Sequence, residues 1–599
     1  MIGTYAAVVA IGVASLSIGQ AALGLCGRRR WSWLAPAVGL GLLLVLCWGT
    51  VRLPGDGAVS AVLVPTLTIA STVYLRGRVE GGGEALRAGW PVALGALLAC
   101  SLPFAVEGHF GILGTGFNPD MSQHLLATDR LAEGHSSQLL NQGYPLGPHA
   151  VVVALNKGLG IGLVHGFSGL TIAVAVLASL TALAVFADSR PVPRTAAALL
   201  VGLTYLAASY LAQGAFKETM QALFLLAFVL ALREAGRSWN ALPLRFIPAA
   251  LIAAGSTYAY GFPSLIWLGG AAVIWAIAEA VASSGGVAVG GPHSAGRRQA
   301  SEHMGATTAT RPAARALGLA LLTFLVLTLP ELGRMIDFAN FETFDPNGPG
   351  LGNLFGQVSP FEALGIWPSG DFRLAPGDGA VPAAAFHLGI AFALVLFAYG
   401  VVQLWRRREI AILAGLGAAA LAYGAARLGG TPYTSAKAIE IASPLLAMTI
   451  LLPLAWVSAG RLILAIRGKL APLSVAGLLF AVAAGVCSLL ALANAPVGPT
   501  VYSPTLGEYR KLVGEGPTLV VASPQLLDEE HGGPYLAWEL RGGRVCIQST
   551  DEGGKPAGVR FEISGEGESW VLKRVRRPPP GKSPCPLIAV RQARQGPTR

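Results

Sequence analysis

The segment Gly116-Phe-Asn-Pro-Asp-Met-Ser-Gln-His124 places a carboxylate, Asp120, four residues before an imidazole, His124. Residues four apart share one face of an α-helix, so both side chains could act on one substrate. A carboxylate can take the proton from a hydroxyl that is becoming a nucleophile, and an imidazole can orient that hydroxyl or share its proton. The same chemistry needs cations or dipoles where negative charge departs. Lys217 in Gly214-Ala-Phe-Lys-Glu218 and Lys437 in Tyr433-Thr-Ser-Ala-Lys437 are the candidates for that task. Each stands at the end of an apolar run, where an ammonium is costly unless it is paired or functional. The plainer alternatives are a helix-capping role for Asp120, pairing or snorkelling for Lys217 beside Glu218, and pairing of Lys437 with Glu440.

The elements that must position these residues are apolar. Of 599 residues, 53% are hydrophobic and only 13% charged, and the mean hydropathy is +0.58. A soluble chain carries roughly a quarter charged residues. Apolar runs of about 18–24 residues recur from Thr4 to about Asn494, the length that crosses a ~30 Å hydrocarbon core. About fourteen spans are expected, near 4–26, 32–52, 57–76, 89–107, 167–187, 195–212, 218–232, 245–260, 263–283, 314–330, 382–404, 409–426, 437–458 and 473–494. The fold class is an α-helical polytopic membrane protein with a small extracytoplasmic α/β C-terminal domain. The formal charge of +11 lies in short clusters between spans, which encodes orientation and excludes a nucleic-acid partner.

Basic clusters such as Arg28-Arg29-Arg30, Arg233 to Arg245 and Arg406-Arg407-Arg408 follow the odd-numbered spans. They are all cytoplasmic only if both termini are extracytoplasmic, in a multi-pass plasma-membrane protein. This divides the chain into N-terminal spans over 1–107, an outer loop over 108–166, a helical core over 167–494 with a second outer loop at 331–381, and an outer soluble domain over 495–599. The cytoplasmic stretch 284–313, rich in Gly, Ala, Ser and Arg, reads as a flexible linker. In the first outer loop Met121, Leu125 and Leu126 share a helical face, so the run after Asp120 is expected to be an interfacial amphipathic helix. A second partly apolar stretch over 150–164 is placed along the membrane. In the tail, 517–522, 544–548 and 569–574 read as strands and 535–540 as a short helix or strand. Cys546 and Cys585 are the two cysteines outside the spans, open to a disulfide or to two separate thiols.

With Asn118-Pro-Asp-Met-Ser-Gln-His124 as a loop acid and Tyr144-Pro-Leu-Gly-Pro-His149 as the segment that follows, the arrangement resembles the GT-C superfamily of membrane glycosyltransferases. The resemblance covers the architecture from about Ser101 onward and departs from the family in two ways. The acid follows the fourth span instead of the first, and no second acid stands beside Asp120, Asp129 being further along the helix. The resemblance implies a donor in the form of a polyprenyl-phosphate-linked sugar and an acceptor that is a cell-envelope glycan, lipid or protein. It implies Asp120 as base with His124 beside it, and Tyr144, His149, Lys217, Glu218 and Lys437 at the substrate. Trp367, Asp371 and Arg373 in Leu364-Gly-Ile-Trp-Pro-Ser-Gly-Asp-Phe-Arg373 suit a sugar-binding surface, or an aromatic anchor at the interface. No cofactor is implied; a divalent metal is left open, although one candidate carboxylate makes a strong metal site unexpected. The runner-up is a multi-span transporter or flippase of envelope lipids or glycans. That class calls for broken helices or polar groups near mid-membrane.

Overall fold

The structure, a computed structural model, describes all residues except 56, 119, 135–137, 238–243, 285–301, 341–349, 461–471, 500–502, 515, 529–531, 542–543, 552–557, 567–568 and 577–599. Within these bounds ten helices are long and apolar enough to cross a membrane, and the chain is membrane-embedded. Pro191–Gly202 and Tyr205–Ala212 would make an eleventh span, bent by 53° between its halves. Leu203 and Thr204 form the break, and the Thr204 hydroxyl accepts from the Ala207 N–H to start the second half.

Helices form over the remaining expected spans as well, each shorter or less apolar than those ten. Ile247–Tyr260 has 14 residues, about 21 Å of helix; Ala35–Val51 has 17; and Gly82–Cys100 carries Glu84 and Arg87 in its first turns. The expected count of about fourteen exceeds the ten by these three helices and the bent pair, which their length, charge or bend sets apart. Residues 302–313, expected in a linker, belong to the helix Glu302–Thr328. Residues 285–301 of that linker, the basic cluster 461–469 and Cys585 lie outside the described residues.

The apolar helices divide sharply by burial. Leu163–Phe186, Phe216–Arg237 and Pro432–Pro453 are 83–89% buried along their apolar windows, whereas Ala58–Leu75 is 6% buried. The first three are therefore the centre of the bundle. The last presents Val62, Ile69 and Val73 outward, as a lipid-facing helix does. The candidate site is built on the ends of two of the central helices.

Beyond Pro496 the chain changes to a four-stranded sheet in the spatial order Arg544–Ser549, Pro517–Ala522, Phe561–Glu566, Ser569–Arg574. The first two neighbours are parallel and the last pair antiparallel. Parallel neighbours need a crossover, supplied between the first two strands in sequence by Pro524–Asp528 and Gly532–Glu539. Leu506, Val520, Leu536, Leu540, Ile563 and Trp570 form a separate small core here. The strand Phe561–Glu566 escapes sequence reading because Phe-Glu-Ile-Ser-Gly-Glu carries a glycine and two glutamates, residues depleted in strands. Cys546 is disulfide-bonded; Cys26, Cys47, Cys100 and Cys487 are buried free thiols.

Candidate active site

The helix that bears the acid runs from Asp120 to Ala132. Its start is fixed locally: the Asp120 N–H donates to Asn118 Oδ1 at 3.0 Å, an Asx turn of the kind that begins a helix. Of the expected apolar face, Met121 and Leu125 are buried and Leu126 is half-buried, while His124, Thr128 and Leu131 are buried as well. The helix is thus covered on more of its circumference than an interfacial helix requires. The expected second stretch is the helix Gly147–Leu159, whose residues from Gly147 to Leu155 are buried. It packs against the acid's helix and the transmembrane body, not flat along a surface.

Two glycines set how closely the acid segment approaches the Lys217 turn. Gly114 has φ +80°, and a Cβ there would meet the Gln213 carbonyl carbon at 2.2 Å; Gly214 has φ +70°, and a Cβ there would meet the Leu113 oxygen at 2.6 Å. Backbone rests on backbone, in a conformation that favours glycine. Immediately after, Phe216–Arg237 begins with Lys217 and Glu218 in its first turn. Opposite, the helix Pro432–Gly460 is started by reciprocal hydrogen bonds between Thr431 and Thr434, which places Tyr433 and Lys437 near its beginning.

These pieces enclose a cavity of about 30 Å³ lined by Asn118, Asp120, His124, Tyr144, Lys217 and Lys437, with Tyr210, Gln213, Glu218, Asn353 and Tyr433 completing its wall. Lys217 donates to the Tyr144 hydroxyl and stands 3.8 Å from the centre of that ring. The Lys437 ammonium pairs with Glu218 at 3.0 Å and lies 4.1 Å from the Tyr433 ring centre. Lys437 thus pairs with Glu218, not with the Glu440 of its own helix, and Lys217 is satisfied by Tyr144. Glu440, fully buried, has no hydrogen-bond partner among the described residues.

Burial pushes the Asp120 carboxyl above the usual carboxylate range, while the positive charges of Lys437 and Lys217 pull it back. Burial also drives His124 well below the usual imidazole range, with His149 and both lysines adding to the effect. His149 is pushed down to about 3, chiefly by burial and then by Lys217. The two rings touch: His124 Nδ1 lies 3.1 Å from His149 Nε2. His149 Nδ1 has no partner among the described residues. The tautomer that leaves no buried N–H orphaned has His149 Nε2–H donating to His124 Nδ1, so His124 carries its own proton on Nε2. Both imidazoles are neutral near pH 7, and His149 stands behind His124 as its support.

The long-loop residues have other places. Trp367 is 1% exposed and packs edge-on against Phe386, with ring centres 4.9 Å apart. It is not a stacking face for a sugar, because its own Leu364-Gly-Ile-Trp turn folds inward onto the 383–406 helix. Asp371 and Arg373 pair with each other at 2.7 Å. The Arg373 guanidinium lies between two rings, 4.3 Å from Phe117 and 4.4 Å from Phe355, and it also reaches the Asn353 carbonyl at 3.4 Å. Asn353 in turn donates to the Phe117 carbonyl and to Gln213. Asp371 and Arg373 therefore brace the segment just ahead of Asp120 without lining the cavity.

Asn118, Tyr210, Gln213 and Asn353 also face the cavity, and sequence reading did not single them out as site residues. Asn118 had a signal, since Asn-Pro-Asp before an amphipathic run marks a helix start. Nothing in the sequence connects Tyr210 or Asn353 to the acid. Among the described residues no group of three or more His, Cys, Asp or Glu side chains is arranged to hold a metal ion. No protein-family model matches the chain, and no curated protein matches it.

Proposed function

We propose that the protein is an integral membrane glycosyltransferase of GT-C type, with about fourteen helices at the membrane and both termini and the C-terminal sheet domain extracytoplasmic. It transfers a sugar from a polyprenyl-phosphate donor to a cell-envelope acceptor on the outer face. The observation that carries this reading is one half-buried carboxylate, Asp120, sharing a small cavity with two lysines brought from distant helices. A carboxylate lifted by burial is closer to the pKa that serves a general base, and paired ammonium groups suit a departing phosphate.

In this reading the acceptor hydroxyl gives its proton to an Asp120 carboxylate oxygen as its oxygen bonds to the sugar's anomeric carbon. The bond from that carbon to the phosphate oxygen breaks, and the polyprenyl phosphate leaves with the bonding pair. Lys217 and Lys437 take up the charge that develops on it. His124, neutral and donating through Nε2–H, orients the acceptor. Tyr144 holds Lys217, and Glu218 holds Lys437. The test is transfer of radiolabelled sugar from polyprenyl-phosphate sugars to envelope extract by the purified full-length chain. Labelled product supports the reading, and its absence with every donor offered contradicts it.

One observation favours a transporter or flippase: the bent pair Pro191–Gly202 and Tyr205–Ala212, whose second half brings Tyr210 to the cavity wall. Broken helices beside a polar site are the transporter pattern. Movement of a fluorescent polyprenyl lipid across vesicles without sugar transfer would decide for it.

A further inference from the structure

The helix Gly532–Glu539 is apolar on two sides, and the two sides go to different cores. Leu536 and, one residue past the helix, Leu540 join Val520, Ile563 and Trp570 inside the C-terminal unit. Tyr535 and Trp538 join the core of the helical body and are 0% and 3% exposed. This helix packs directly on Asp120–Ala132. Arg541 extends the contact: it stacks over Trp538 at 4.0 Å, and its Nε lies 3.8 Å from Oδ1 of Asp129, on the acid's own helix. Tyr535 lies beside Thr115 and within electrostatic reach of Asp120.

The chain leading into the unit grips the other end of the same segment. Val497–Gly498 pairs antiparallel with Ile112–Leu113, and the Gly114 N–H donates to the Pro496 carbonyl at 2.9 Å. The acid is therefore bracketed, before and after, by residues from beyond the last apolar span. A helix shared between two cores cannot shift without uncovering aromatic surface in one of them.

We propose that the C-terminal unit is a positioning element of the acid site, with Tyr535, Trp538 and Arg541 holding the Asp120–Ala132 helix so that Asp120 faces the cavity. Only the kinetic arm of the test rests on the glycosyltransferase reading. The double variant Tyr535→Phe/Arg541→Ala of the full chain is compared with wild type by amide hydrogen exchange, thermal unfolding and transfer kinetics. The expected result is about tenfold faster exchange within 120–132, with strands 517–522 and 544–549 as protected as before. Transfer then falls about tenfold in kcat with an unchanged donor KM, as for a loss confined to the transition state. Arg541→Lys, which keeps a cation for Asp129, restores most of both. Unchanged exchange in 120–132 overturns the proposal, and so does exchange that rises equally in the sheet, which marks a merely structural role. Faster local exchange in a chain whose wild type transfers no sugar upholds the positioning and removes the glycosyltransferase reading.

Discussion

Lys437 Nζ stands 3.0 Å from Glu218 Oε1, so the cavity that holds Asp120 is closed by an ion pair between two of the most buried helices of the bundle. Neither partner has an equal substitute. The other nearby ammonium, Lys217, is engaged by Tyr144, and the next carboxylate on the Lys437 helix, Glu440, has no hydrogen-bond partner among the described residues.

Breaking that pair from one side should be worse than removing it. Lys437→Met leaves Glu218 buried and unpaired, at an expected loss of about 3–5 kcal/mol. Glu218→Gln/Lys437→Met should recover most of this while donor binding stays lost. Thermal unfolding in detergent, with and without a polyprenyl phosphate, reads both effects. A single variant as stable as wild type would show that the pair contributes nothing.

The histidine pair predicts how stability varies with pH. His149 is held down to about 3, far below the ordinary value near 6.5. Between those values the unfolded chain binds a proton that the folded chain refuses, so stability is complete above about pH 6.5 and falls as the pH drops. The slope is about 1.4 kcal/mol per pH unit for His149 alone. His149→Asn should flatten the decline between pH 6.5 and 5, measured by denaturant unfolding at each pH. An equal decline in both chains would place the titrating group elsewhere.

Trp367 is predicted to matter for stability and not for sugar binding. Trp367→Ala empties a site that is 1% exposed and should cost about 3–5 kcal/mol. The folded fraction should keep the wild-type KM for donor and acceptor. A raised KM at unchanged melting temperature would return Trp367 to the role of a sugar-stacking face.

How far the sequence reaches can be judged from particular residues. Asp120, His124, Tyr144, Lys217, Glu218 and Lys437 were legible, because charged and aromatic residues at the ends of apolar runs stand out against so apolar a background, and all six line one cavity. Their partnerships were not. Local spacing pairs Lys437 with Glu440 and Lys217 with Glu218, whereas the fold pairs across helices. Trp367 and Arg373 carry the composition of a binding surface, yet their loop turns inward, and no periodicity records the direction of a loop. The strands at 517–522 and 544–548 were legible as short apolar runs and the one at 569–574 from its alternation. The double-faced helix Gly532–Glu539 was ambiguous because its apolar residues serve two cores at once.

The central claim is that Asp120 is the base, and Asp120→Asn tests it with the least disturbance. The amide keeps the shape, and the backbone bond to Asn118 at 3.0 Å is made by the main chain and survives. Purified wild type and variant are offered the same radiolabelled polyprenyl-phosphate sugar and envelope acceptor. The account predicts that wild type transfers label while the folded variant, with an unchanged melting temperature, loses at least about a hundredfold in kcat. Equal transfer by both chains would contradict it, and would reduce Asp120 to the first residue of a helix.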